Sequence, residues 1–288
     1  MRILHLKDAA LNAPQAIALG YFDGGHIGHA ALIRKTVSEA RRTGCESAVF
    51  SFLHLPTKKG APLSGEADRL RFFEAAGIQN VILADFDEVR DLSPDAFCKQ
   101  VLTSRLAARF ALCGFNFRFG RGAAGDGALL CQALPESIVL PPTLYKGAPV
   151  SSTRIREALS HGALDDASAM LGHPYTVSGT VSHGRAIGRS IGFPTANITT
   201  PLFLPRFGVY KTRATVDGAS YTGLTNVGVR PTVEGAGEVR VETFLPDFSG
   251  DLYEKSLHIA FLAFLREERH FDSLDALQAQ IAKDISLL

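Results

Sequence analysis

The sequence has no tryptophan, two methionines and four cysteines in 288 residues. Cys45, Cys98, Cys113 and Cys131 stand far apart without metal-ligand spacing. That argues against a disulfide scaffold or a Cys-based zinc site and fits a reducing cytoplasm. A surplus of one charge is also missing: 30 Lys and Arg face 29 Asp and Glu, for a net charge of +1. Dedicated nucleic-acid binders and membrane-surface proteins carry basic surpluses, so neither partner is expected. No apolar run approaches the ~18 residues of a membrane helix. The opening MRILHLKDAALNAPQ has no secretory apolar core. Repeats, heptads and low-complexity tracts are absent. What is present is an ordinary globular mix, 46% hydrophobic and 20% charged. Its length suggests about two domains.

The first half alternates two periodicities. Ile17–Leu19, Ser47–Phe52, Val81–Leu83 and Phe110–Cys113 read as buried strands; Ala30–Arg42, Ala67–Ala76 and Pro94–Arg105 read as helices between them. Short apolar runs separated by helical patterns predict a doubly wound parallel sheet. Ligands then bind beyond the carboxyl ends of the strands, which puts Phe22–His29 and Gly114–Gly120 on one rim. Arg154–Ser160 and Leu164–Leu171 read as helices. Past Pro174 the texture changes. Thr176–Val181, Gly208–Val216, Ser220–Val227 and Arg240–Phe244 are short runs rich in β-branched and aromatic residues, with an Asp217-Gly218 hairpin signal. They predict an antiparallel barrel, closed by a helix over Ser273–Leu288 with an apolar stripe of Leu274, Leu277, Ile281 and Ile285. The fold class is therefore α/β plus β, with domains at 1–172 and 173–288.

The most informative stretch is ALGYFDGGHIGH, Ala18 to His29. An apolar strand leads through Gly24-Gly25 to two histidines at a helix start. Helix N-termini favour phosphate, and imidazoles at i and i+3 share one face of the first turn. The pattern resembles the HxGH motif of nucleotidylyltransferases. Taken alone it is a weak signal, because two histidines on one turn more often cap, pack or face solvent. CGFNFRFGRGAAGD, Cys113 to Asp126, places Asn116 among phenylalanines before a glycine loop; it reads as a nucleotide edge or as core packing. VSSTRIR, Val150 to Arg156, offers hydroxyls, a helix start and a guanidinium, which suit either a phosphate cradle or a plain N-cap. In the second half, GRAIGRSIGFPTANI spans Gly184 to Ile198. Its glycines let a ligand approach, Arg189 can pair with phosphate, and Thr195 and Asn197 point to one face. A hydroxyl and an amide offer oxygens suited to Mg2+ carrying nucleotide phosphates. The bland alternative is a glycine-rich hairpin.

Together these stretches resemble the bacterial bifunctional riboflavin kinase/FAD synthetase family in order and spacing. Its adenylyltransferase motifs stand here as Gly20–His29, Gly114–Gly120 and Ser151–Arg156. GFPTAN resembles the riboflavin kinase signature. Gly208–Tyr210, Thr225–Thr232, Val241–Tyr253 and Phe264–Ile281 follow in that family's order, so the resemblance covers nearly the whole chain.

The resemblance implies two ATP-dependent reactions: riboflavin to FMN in the C-terminal half, and FMN to FAD with pyrophosphate release in the N-terminal half. It implies that Gly20, Phe22, Asp23, His26, His29 and Asn116 bind ATP for adenylyl transfer. Ser152, Thr153 and Arg156 would help hold the pyrophosphate. Gly184, Gly188, Arg189, Thr195 and Asn197 would bind ATP for the kinase step, with Thr195 and Asn197 on Mg2+. Glu242 is the implied base, and Arg266 is assigned to the flavin side. Two segments depart from the family pattern. Ser51–Pro56 reads SFLHLP where the family usually has Thr-Phe-x-Pro-His-Pro, and Phe244 and Pro246 replace its usual His and Leu. Three other readings stay open: a kinase with a weakened or altered adenylyltransferase half, a nucleotidylyltransferase for another phosphate, and a non-catalytic flavin- or nucleotide-binding regulator. The presence of His26, His29, Thr195, Asn197 and Glu242 argues against the last, and GFPTAN against the second.

Overall fold

The computed structural model describes residues 1–54, 60–182, 193–230 and 238–288. The chain divides into two compact units, Met1–Ser152 and Thr153–Leu288.

The first unit is built on strands β1 (Arg2–His5), β2 (Gln15–Leu19), β3 (Glu46–Phe52), β4 (Asn80–Ala84), β5 (Ala108–Gly114), the two-residue β6 (Arg118–Phe119) and β7 (Gly125–Asp126), β8 (Ile138–Leu140), and the two-residue β9 (Leu144–Tyr145) and β10 (Ala148–Pro149). Six of them form a parallel sheet in the order β1-β4-β3-β2-β5-β8. Every residue of β2 and β4 is buried, as expected of a sheet covered on both faces. Helix α1 (Ile27–Thr43) connects β2 to β3 and stops at Gly44, whose φ of 69° is the left-handed cap a glycine adopts without strain. Helix α2 (Glu66–Ala75) lies between β3 and β4. The helix predicted over Pro94–Arg105 begins as a turn at Pro94–Ala96 and continues as a π-helix, Phe97–Arg105.

The two ends of this sheet differ in chemistry. At the amino ends a polar belt ties four strands: Arg2 Nε donates to Asn80 Oδ1 at 2.8 Å, and Asn80 Nδ2 donates to Glu46 Oε2 at 2.8 Å and Gln15 Oε1 at 2.9 Å. That belt is closed and satisfied, so it serves the fold. At the carboxyl ends the strand order reverses direction between β2 and β5, which is where a doubly wound sheet opens a crevice. The loops Gly20–His26 and Phe115–Phe117 leave the sheet there.

The second unit begins with helices Ser152–Ser160 (from Thr153 on) and Leu164–Leu171, then a closed antiparallel barrel. Its strands are β11 (Thr176–Ser182), β12 (Thr195–Ile198), β13 (Gly208–Val216), β14 (Ala219–Arg230), β15 (Glu238–Phe244) and β16 (Ser256–Arg266), in the order β11-β12-β15-β14-β13-β16. Asp217 and Gly218, at φ of 49° and 80°, make the tight β13–β14 turn that their sequence predicts. Alternation sorts the strands. Val241 and Thr243 face inward and Glu242 outward. Inside, Thr212, Thr225 and Thr243 satisfy one another, with Oγ1–Oγ1 distances of 2.7 and 2.9 Å.

Several elements go beyond the sequence reading, among them β1, β8 and the long β16. β1 is an exposed edge, β8 is three residues long, and β16 is an apolar run whose periodicity is mixed. The closing helix is Leu274–Ile285, with Ser273 Oγ accepting the Ala276 N–H at 3.2 Å as its cap. Of its expected stripe, Leu277, Ile281 and Ile285 are half-buried. Leu274 is 59% exposed, and the buried residue of this helix is Asp284. Asp284 grips Arg266 of β16 in a fork, Nε to Oδ2 at 2.9 Å and Nη2 to Oδ2 at 2.8 Å, so an ion pair anchors the helix.

Candidate active sites

In the first unit the β2–α1 loop is held from several sides. Phe22 sits at φ 63°, a left-handed value that costs energy in a bulky residue. Packing over-determines it: its ring meets those of His29 at 5.2 Å and Phe73 at 5.3 Å. A Cβ on Gly20 would lie 3.1 Å from the Phe22 ring, so the glycine makes room for it. Asp23 is buried, and its Oδ1 accepts the backbone N–H groups of Leu63 at 2.8 Å and Ser64 at 3.3 Å. Ser152 Oγ donates to the Asp23 carbonyl at 3.0 Å.

His26 is the N-cap of α1. Its Nδ1 accepts the His29 N–H at 3.2 Å, and the two rings stack with centroids 3.5 Å apart. An accepting Nδ1 puts the ring proton of neutral His26 on Nε2. Gly28 fits this stack, because a Cβ there would lie 3.2 Å from the His26 ring. Burial pushes the His26 pKa down to about 4. Burial, and then the neighbouring His26, hold His29 well below its ordinary value. Both rings are therefore neutral at pH 7 and act as hydrogen-bonding groups, not fixed charges. His29 Nδ1 is buried and has no partner among the described residues.

Asn116 is exposed on the loop after β5, next to β2 in the sheet. Phe119 is buried in the core and Phe117 stacks on it at 5.7 Å, so these rings support the loop by packing. Thr153 and Arg156 fall in the second unit, where the Arg156 guanidinium lies 6.0 Å from the Phe203 ring centroid.

The sequence reading missed Arg69. It is 3% exposed, on the buried side of α2 with Phe73. Nη1 donates to the carbonyls of Tyr21 at 3.1 Å and Phe52 at 2.9 Å and to Ser51 Oγ at 3.2 Å, and Nη2 donates to the Leu53 carbonyl at 3.2 Å. Its guanidinium also lies 4.3 Å from the Tyr21 ring centroid. One buried cation thus joins the loop after β2 to the end of β3, where the sequence departs from the family pattern. A charged residue at a core-facing helix position was the available signal. Leu55 and Pro56 of that segment lie outside the described residues.

In the second unit Asn197, Glu242 and Asn226 are direct cross-strand partners on β12, β15 and β14. Side chains so paired stand about 5 Å apart on one face. Oδ1 of Asn197 and Oδ1 of Asn226 are both buried, with no hydrogen-bond partner among the described residues. Thr195 is exposed and pairs with Phe244, whose ring meets Phe193 edge-on at 5.4 Å. Gly184, Gly188 and Arg189 lie outside the described residues. Arg266 is largely committed to Asp284 and to the Glu267 carbonyl. Among the described residues, no group of three or more His, Cys, Asp or Glu could hold a metal. Neutral oxygens at Thr195 and Asn197 do fit Mg2+ whose charge is met by nucleotide phosphates.

A switch-point crevice with a stacked histidine pair on a helix N-terminus, and a small barrel with a carboxylate between two amides, define a two-part nucleotide-dependent transferase. An FAD synthetase family model matches residues 8–154 and a riboflavin kinase model matches residues 171–288. Curated bifunctional riboflavin kinase/FMN adenylyltransferases are similar over nearly their full length. That of Pseudomonas fluorescens is 35% identical, across 93% of this chain and 90% of the relative; that of Escherichia coli (strain K12) is 36% identical, across 94% and 92%. The chain belongs to the bifunctional riboflavin kinase/FMN adenylyltransferase family. A crystal structure described as a macrolide-efflux protein from Streptococcus pneumoniae shares the fold, with a TM-score of 0.88 at 28% identity, over 99% of this chain and 98% of that one. Among the described residues here, no helix is long and apolar enough to cross a membrane.

Proposed function

We propose that the chain phosphorylates riboflavin to FMN in its barrel and adenylylates FMN to FAD on its parallel sheet, with ATP as co-substrate in both steps. In the adenylyl step an FMN phosphate oxygen attacks the α-phosphorus of ATP. A P–O bond forms and the bond to pyrophosphate breaks. A phosphate is already a nucleophile, so no protein base is needed and the work is positioning and charge stabilisation. His26 Nε2–H, His29 and the α1 N-terminus donate to the phosphates. Gly20, Phe22 and Asp23 shape that loop, and Asn116 contacts the nucleotide. Ser152, Thr153 and Arg156 act on the pyrophosphate.

In the kinase step the nucleophile is a primary alcohol, which benefits from a base. Glu242 takes the proton of the ribityl 5′-hydroxyl as its oxygen bonds to the γ-phosphorus and ADP leaves. Thr195 and Asn197 hold Mg2+, which neutralises phosphate charge when bound. Gly184, Gly188 and Arg189, outside the described residues, are assigned to ATP binding in this step. Arg266 serves the flavin side with the N–H groups that Asp284 and Glu267 leave over. We place the domain limit at 172/173, where helix Leu164–Leu171 ends on Gly172 at φ 86°. The four cysteines are unbridged, in keeping with the cytoplasm.

The carrying observation is that each half pairs a family match with a suitable polar constellation on its own fold. Retention of a hydroxyl at Ser51, bonded to the Tyr21 carbonyl at 3.2 Å, favours a working adenylyltransferase over a weakened one. The test is chromatography of riboflavin, ATP and Mg2+ incubated with the protein, with a second tube given FMN. FMN followed by FAD is expected. FMN without FAD in either tube would support the weakened reading, and no product from folded protein would support a regulator.

A further inference from the structure

The barrel carries a second polar arrangement beside Glu242. Asn226 Nδ2 donates to Glu268 Oε1 at 2.9 Å. With its nitrogen so engaged, Asn226 Oδ1 is turned the other way, and it is buried with no partner among the described residues. Glu268, just beyond β16, lays its carboxylate over β14 at Gly228, where a Cβ would overlap it. The backbone at Gly228 is ordinary strand, so its lack of a side chain serves this seat. Glu268 therefore fixes which way the Asn226 amide faces, and its negative charge strengthens Oδ1 as an acceptor.

An amide oxygen only accepts, so its partner must be a donor. Phosphate chains offer acceptors, whereas a polyol offers hydroxyl donors. Asn197 and Asn226 flank Glu242 on opposite sides. If Asn197 serves the metal-nucleotide side, Asn226 stands on the alcohol side. We propose that Asn226 is a substrate-positioning residue of the kinase step. Its Oδ1 accepts a hydrogen bond from the ribityl 4′-hydroxyl while Glu242 addresses the 5′-hydroxyl, and Glu268 positions Asn226. This rests on the reading of Glu242 as the base.

The experiment uses the full chain and steady-state kinetics of FMN formation. Asn226→Ala should raise the riboflavin KM by about tenfold, the scale of one lost hydrogen bond to a substrate. The ATP KM, the Mg2+ dependence and FAD formation from supplied FMN should stay unchanged. Glu268→Ala and Gly228→Ala should reproduce the shift, and Glu268→Gln should recover most of it, because an amide oxygen still accepts from Asn226. With 4′-deoxyriboflavin, wild type and Asn226→Ala should have equal KM values. A wild-type riboflavin KM in Asn226→Ala overturns the proposal. A shifted Mg2+ dependence assigns Oδ1 to the cation and also overturns it. Glu242→Gln separates the two readings: full FMN formation there removes the base assignment, whereas its loss beside a normal Asn226→Ala removes only this proposal.

Discussion

The Nδ1 of His26 accepts the backbone N–H of His29 at 3.2 Å while the two rings stack at 3.5 Å, so the helix cap and the candidate phosphate site are one object. Stacking holds the rings close together. Two imidazolium ions at that distance would repel, and burial already disfavours the first charge. The arrangement exists only with neutral rings, and this has a measurable cost in acid.

His26 titrates near 4 in the fold against 6.5 when unfolded. Between those values the unfolded chain binds the extra proton, so stability is full above pH 6.5 and falls as pH drops toward 4. His26 alone should remove roughly 2 kcal/mol between pH 7.5 and 5, at ~1.4 kcal/mol per unit below 6.5. Urea denaturation across that range would show the slope. His26→Asn keeps a good N-cap and should remove its share of the slope, leaving the part that buried His29 contributes. An unchanged slope in that variant would assign the acid sensitivity elsewhere.

His29→Ala should abolish FAD formation from supplied FMN, with a loss of at least about a hundredfold, the scale of a removed phosphate-stabilising donor. FMN formation from riboflavin should continue, since Glu242, Asn197 and Asn226 belong to the other compact unit. Assaying both products from one preparation makes the kinase half a control for folding. FAD made at the wild-type rate would take this histidine out of the mechanism.

Arg69→Met should slow FAD formation by more than tenfold and leave FMN formation intact. It strips donors from the carbonyls of Tyr21, Phe52 and Leu53 at once. Charge-assisted bonds of this kind are worth about 1.5–3 kcal/mol each before relaxation. Arg69→Lys should rescue little, because an ammonium lacks the planar fork that spans two loops. Full activity in Arg69→Met would show that the segment after β3 holds its shape unaided.

These contrasts follow how the information is distributed along the chain. The β2–α1 motif was legible because strand, turn, cap and both histidines lie within Ala18–His29, and local periodicity reports local structure. β12 was legible from the alternation of Thr195 and Asn197. Arg69 was only half legible: its core-facing place on α2 marks it as unusual, but the carbonyls it binds come from two distant loops that the spacing of α2 does not identify. Asn226 and Glu268 are 42 positions apart and meet only when the barrel closes. The closing helix was legible in part. Leu277, Ile281 and Ile285 make its half-buried face, Leu274 is exposed, and the one group this helix buries fully is a carboxylate that the stripe did not announce.

That carboxylate supports the last prediction. Asp284 is 2% exposed and Arg266, its forked partner, is mostly shielded at 13%, so removing one leaves the other without its counter-charge in a poorly solvated place. Breaking such a pair costs about 3–5 kcal/mol, whereas replacing both members with apolar groups is often neutral. Asp284→Ala should therefore lower the urea midpoint of the second unit sharply, and Arg266→Met with Asp284→Leu should recover most of the loss. The kinase assay separates the two roles of Arg266. If the double variant regains stability but its riboflavin KM stays raised, the guanidinium also serves the flavin. If stability and KM recover together, Arg266 only anchors the helix, and its assignment to the flavin side is withdrawn.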